Sequence, residues 1–369
     1  MASNKKEQKA GDGSRLVQAD RDVHIHEGPS YAEIIEIVGT EATRIVKDYI
    51  PEAHLEASAE ALKKVEELTL ELAKRFENKP NDLIDAFKDP SFNYDWSDAT
   101  RAALESKDDE VEKIIVDLIE NRISKKDSPR TKIITGVALQ AAGKMGADSV
   151  NGIALTWILG YTYLLHEGFP FEWFLSAQIN RLKSSIERFT LPDDDEWLED
   201  LDALNLIRLQ DSGITNINQF FEIMRDRFKP FLVPGIPESE VKRLVDPIRS
   251  KDPLIDHFVV THPLKDGFFI IPYENSDTLK SRINEDAQQL SEFEELLGQN
   301  QFGAIDGIAE SNLRSKLSAD GSFKLVEEWW NRQMKPHTLT KPGRIIAYSL
   351  TKDYTGPIKD IASFADLIR

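Results

Sequence analysis

Three groups of residues have types and spacings that could do chemistry. His24 and His26 stand two apart, so on an extended strand both imidazoles face one side. Symmetry in an oligomer would multiply them into a ring able to bind zinc or nickel. The competing reading is the solvent-facing edge of a polar strand. Asp193, Asp194, Asp195, Glu196, Glu199, Asp200 and Asp202 crowd one short run. They make either a divalent-cation surface or the acidic start of a helix running to Leu209, where the macrodipole favours carboxylates. Arg122, Lys125, Lys126, Arg130 and Lys132 form a basic stretch, diluted by Asp127, that could contact the phosphates of a nucleic acid.

Other constellations carry less. Glu112, Asp117 and Glu120 share a helical pattern, yet only 112 and 120 approach one face. His257 and His262 flank an apolar strand and a proline, without an evident carboxylate partner. Trp329 and Trp330 beside Arg332 could stack on a base or a peptide, or line a core. There is no GxGxxG, phosphate-binding loop, HExxH, GxSxG or CxxC pattern, and the glycines at 136, 143 and 146 have helix-like spacing. These patterns assign no catalytic residue and no cofactor, and His24 and His26 are the metal candidates.

Composition narrows the classes. With 46 Lys+Arg against 64 Asp+Glu, the formal charge is -18, which opposes non-specific binding to nucleic acid or an anionic membrane. The absence of cysteine excludes disulfides and thiolate chemistry and fits a reducing cytoplasm. Residues 1–10 lack the apolar block of a signal peptide, and no apolar run is long enough to span a membrane.

The elements that must position these groups are mainly helical. The exception is the strand pattern before Gly28, where Val23 and Ile25 alternate with Asp22 and His24 between glycines. A lone strand is marginal, so Leu16, Gln18, Val23 and Ile25 are expected to pair with another subunit, a partner's sheet edge or a distant part of the chain. Two helices follow from Tyr31. In the second, Leu55, Leu62, Val65, Leu72 and Phe76 fall on a short heptad seam, suited to packing on its own domain or between subunits. Residues 78–96, with Pro80 and Pro90, read as a boundary holding one short helix, and helices fill 97–189. Two short strands joined near Lys265–Gly267 then precede further helices. The expected organisation is a mainly α chain: 1–30 a flexible lead and β assembly segment, 31–77 a helical packing or oligomerisation region, 78–229 an all-helical domain, and 230–369 a small α+β domain.

The run Gly11-Asp12-x-Ser14, Gln18-Ala19-x-x-Asp22-Val23-x-Ile25, Gly28-x-Ser30-Tyr31 resembles the opening of an uncharacterised family of bacterial proteins, and similar openings occur in proteins of bacterial conflict and anti-phage systems. Leu339-Thr340-Lys341-Pro342-Gly343-Arg344-Ile345-Ile346-Ala347 is similar to that family's terminal segment. The same stretch, with Leu201–Ile207, resembles parts of a winged-helix domain. The resemblance implies no catalytic residue.

Together these features point to a cytoplasmic homo-oligomer that binds a protein partner as a scaffold or sensor, with a role in anti-phage defence implied by the resemblance. A nucleic-acid-binding regulator using residues 122–132 is the first alternative. A hydrolase of nucleotides or phosphodiesters, using carboxylates and a metal, is the second.

Overall fold

The computed structural model describes residues 31–49, 55–106, 109–124, 128–162, 170–210, 219–249, 259–271, 295, 298, 300–301 and 303–353. Its helices are α1 (Tyr31–Tyr49), α2 (Leu55–Arg75), α3 (Pro80–Phe87), α4 (Pro90–Glu105), α5 (Asp109–Ser124), α6 (Pro129–Ala142), α7 (Ala147–Thr156), α8 (Phe171–Arg188), α9 (Glu196–Ala203), α10 (Phe220–Arg227), α11 (Glu238–Arg249), α12 (Gly307–Ser318), α13 (Gly321–Gln333) and α14 (Lys341–Thr351). A π-helical turn, Trp157–Tyr161, continues α7, and a 3₁₀ turn, Lys229–Phe231, follows α10. The strands among the described residues are short: β1 (Ile207–Leu209), β2 (Ile236–Pro237), β3 (Val260–Thr261), β4 (Phe268–Ile270) and β5 (His337–Leu339). The protein is mainly α, and no described helix is long and apolar enough to cross a membrane.

Proline begins helices here. Pro80 and Pro90 open α3 and α4 where the sequence pattern suggests a boundary, because a proline in the first turn forfeits no helical hydrogen bond. Asp89 caps α4 by accepting from the Ser91 amide at 2.9 Å. Ser128 and Thr340 cap α6 and α14 in the same way, each ahead of a proline. The helix expected to reach Leu209 stops at Ala203. Asn205 adopts φ 60°, and the chain turns into β1, which pairs antiparallel with β5 from Ile207↔Leu339 to Leu209↔His337. That pairing spans more than a hundred residues and also joins the two stretches that resemble winged-helix parts.

The core is one continuous apolar cluster from Ile34 to Leu350. Helix α5 lies deepest: Val111, Ile114, Ile115, Leu118 and Ile119 expose no surface. Helix α14 returns from the far end of the chain to pack on α5, α6 and α7. Asp117 of α5, 2 % exposed, binds Arg75 of α2 and, at 2.6 Å, Lys352 just beyond α14. The three-stranded sheet, ordered β2-β4-β3, is tied to α12 by Lys265 Nζ, which donates to Asp306 at 2.7 Å while Asp306 caps that helix.

Contact between α14 and the β1 turn admits no side chain at Gly343, where an added Cβ would stand 1.9 Å from the Leu206 carbonyl oxygen. Gly343→Ala is expected to lower stability by about 1–3 kcal/mol or more through overpacking. Gly321→Ala, whose Cβ would meet nothing within 4 Å, should stay within about 0.5 kcal/mol of wild type. Urea unfolding of the two variants checks this.

Candidate functional site

The basic stretch is divided by the fold. Arg122 is 1 % exposed: its Nε donates to Asp95 at 2.6 Å and its Nη2 to Ser91 Oγ at 3.0 Å. It is therefore turned away from any polyanion. Lys132, partly exposed, donates to Asp89 at 3.2 Å and to Ser91 Oγ at 3.2 Å. Arg130 is exposed, and Lys125 and Lys126 lie outside the described residues. The network joins the start of α4 to α5 and α6. Burial raises the Asp95 pKa against the opposing pull of Arg122. The Asp89 carboxylate falls to about 2, held by the Ser91 hydroxyl and amide and, more weakly, by Lys132.

Of the expected assembly residues, Leu16, Gln18, Val23 and Ile25 lie outside the described residues, as do His24 and His26. Leu55 opens α2. Val65, Leu72 and Phe76 are buried in the chain's own core, while Leu62 on the same helix is 40 % exposed. The acidic run is answered locally: Lys335 pairs with Asp195 at 3.0 Å and Glu199 at 2.9 Å, and Asp202 accepts from the Leu209 amide. Trp329 is buried and donates to the Pro192 carbonyl, and its ring stacks on Trp197. His262 is buried against the Val233 carbonyl at 3.0 Å, and burial lowers its pKa. His257 lies outside the described residues. Among the described residues, no three His, Asp or Glu side chains gather as a metal site.

Two features escape a reading by motif. The first is an open groove of about 700 Å³ between α1 and α2. Leu62 and Leu70, both 40 % exposed, line it with Ile35, and its charges are two of each sign: Glu36 and Glu66 with Arg44 and Lys47. Thr69 sits in this groove, 2 % exposed, and its hydroxyl has no hydrogen-bond partner among the described residues. The exposed leucines follow from helical geometry. Leu62, Glu66 and Leu70 repeat every four residues on α2, a second stripe beside the buried one of Val65, Leu68 and Leu72.

The second feature is a cluster of arginines at the end of the π-turn. Arg181 of α8 donates to the Ile158 carbonyl at 2.7 Å and to the Thr162 hydroxyl. Arg227, the last residue of α10, donates to the carbonyls of Leu159 and, at 2.9 Å, Thr162. Arg227 keeps part of its surface accessible, yet enough protein surrounds its guanidinium to push the pKa down to about 9, with the Arg181 charge adding to the effect. Gln178, 1 % exposed and one turn before Arg181, reaches Arg227 through its Oε1 at 3.5 Å. A π-turn widens the helical ladder and is frequent at functional sites. The two arginines are far apart in sequence, and their shared bonds to the end of the π-turn make them neighbours.

Residues 28–364 match the model of one protein family, an uncharacterised one. The chain belongs to this family. The family's match takes in the α1–α2 groove and the Arg181–Arg227 cluster alike, and of the N-terminal signature it includes only Gly28, Ser30 and Tyr31. No curated protein and no solved structure matches the chain.

Two outcomes follow from the Arg122 network. Arg122→Met should cost about 3–5 kcal/mol, since it strands Asp95 in a half-buried site, and urea unfolding would show this. Asp89→Asn keeps the cap and removes the charge. Because the folded pKa of Asp89 lies below its ordinary 3.8, its charge stabilises the fold above about pH 4, and that gain is lost as pH falls towards 2. The gap between wild type and Asp89→Asn in urea midpoint should therefore shrink between pH 5 and pH 3. A gap independent of pH would show that the Asp89 charge is not what stabilises the network.

Proposed function

We propose that this protein is a homo-oligomeric interaction or scaffold protein whose self-contact is made by the α1–α2 groove. The observation that carries this reading is the pairing of exposed Leu62 and Leu70 with lining charges of both signs, Glu36, Glu66, Lys47 and Arg44, the last held by Glu41 at 3.0 Å. A chain with net charge -18 repels its own copies over most of its surface. A self-contact of two-fold symmetry must be complementary to itself, and charges of both signs around an apolar centre supply such complementarity without like-charge repulsion. The groove meets both requirements.

The occupant is a second copy of the α1–α2 pair. The strand pattern ending at Gly28 immediately precedes α1 in the sequence. A role as a sensor or scaffold in bacterial anti-phage defence rests on the resemblance of the N-terminal signature. The nucleic-acid alternative is weakened by Arg122, which faces Asp95 instead of solvent.

Light scattering on a sizing column tests the reading. The full chain should run at a multiple of 41.9 kDa, and Leu62→Asp with Leu70→Asp should give a folded monomer. Removing residues 1–28 separates the contributions of the strand and the groove. A wild-type monomer at high micromolar concentration would sink the oligomer, and an oligomer that survives the double substitution would sink the groove as its contact.

A further inference from the structure

Gly39 of α1 lies beside Thr69 of α2, where an added Cβ would stand 3.9 Å from the threonine methyl. The link from Tyr49 to Leu55 reaches about 22 Å at most, while parallel helices in that register would need about 36 Å between those two residues. The helices are therefore antiparallel, and levels along one can be read against the other. Leu62 stands level with the Lys47 end of the groove and Leu70 with the Glu36 end. Glu66 falls between them.

On α1 the residues Glu36, Thr40, Thr43 and Lys47 repeat at three- and four-residue spacing, so they form one stripe, opposite the buried Ile34, Val38 and Ile45. The stripe reads acid, threonine, threonine, base, and is symmetric in position about its midpoint. Three helical turns, about 16 Å, separate the two charges. Both are exposed, and neither has an ion-pair partner among the described residues. Two-fold symmetry offers this stripe two ways to meet its own copy. An axis along the helices keeps every level opposite itself, so Glu36 meets Glu36 and Lys47 meets Lys47. An axis across them exchanges the ends, so each Glu36 meets the Lys47 of the second copy. Like charges set together cost affinity, and opposite charges recover it. The same exchange lays Leu62 of one copy beside Leu70 of the other, so one register satisfies the ionic and the apolar contacts.

We infer, building on the self-contact proposed above, that the assembly is a closed dimer in which α1 lies antiparallel against α1 of the second copy, centred between Thr40 and Thr43. Each end then holds one Glu36–Lys47 pair and one Leu62–Leu70 pair between the copies. A contact that uses the same patch on both copies leaves none for a third. Glu66 falls on the axis and faces its own counterpart, a repulsion that this register leaves in place.

Sedimentation of the full chain and its charge variants tests the register. Wild type should sediment as two chains of 41.9 kDa. Glu36→Lys and Lys47→Glu should each weaken the dimer about tenfold, although they shift the net charge in opposite directions, and the double reversal should return to within about threefold of wild type. Glu66→Gln should tighten it. The sequence has no cysteine, so Glu36→Cys and Lys47→Cys chains can be joined by a short bismaleimide; a mixture of the two should crosslink, and neither alone should. A wild-type monomer would overturn the self-contact and this register together. A wild-type dimer that crosslinks Glu36→Cys to itself, or that ignores the charge reversals, would overturn the register alone, and a larger wild-type assembly would overturn its closure.

Discussion

The fold depends on the return of α14 to the helices at the start of the chain. Helix α5 exposes no surface on its apolar face because α2, α4, α6 and α14 close around it. The charged seal on that closure is Asp117, which holds Arg75 from one side and Lys352 from the other. Removing α14 would expose apolar side chains of α5 and α6 and leave an almost fully buried carboxylate with one of its two cations. Such a residue is tolerated in a core only while its partners remain in place. The β1–β5 ladder performs the same closure at the backbone level, bringing Thr340 to the Leu206 carbonyl so that α14 enters at one angle.

Charge is handled differently inside and outside. Enclosed cations mostly have carboxylates supplied by distant segments, as Arg122 does from α4 and Lys265 from the cap of α12. Outside, the chain's balance of charge is strongly negative, and the lining of one surface groove departs from it. The α1–α2 groove is lined by two charges of each sign around its apolar side chains. Arg227 follows neither rule, since its described acceptors are all neutral.

Much of the helical architecture was legible from residue spacing. The pattern Val111, Ile114, Ile115, Leu118 and Ile119 predicts one buried face, and α5 buries it. The pairing of β3 with β4 follows from two apolar runs joined through Lys265–Gly267. Helix starts were less legible: residues 78–96, with Pro80 and Pro90, read as a boundary holding one short helix, although proline is favoured in the first turn of a helix and opens both α3 and α4. The acidic run from Asp193 predicts a helix reaching Leu209, but pairing with β5 outweighs helical propensity after Ala203.

The amino-acid order by itself determined that this protein is mainly helical, which faces of its helices are apolar, and that its surface is strongly acidic, because these follow from periodicity and composition within short windows. The tertiary structure alone decided what the charged residues do. Arg122 in a basic run became a buried partner of Asp95. Asp117, among three carboxylates on one helix, became the link between α2 and the far end of the chain. Arg181 and Arg227, forty-six positions apart in an unremarkable stretch, became neighbours. Coulombic and hydrogen-bond partners act through space over a few ångströms, so sequence separation carries almost no information about them.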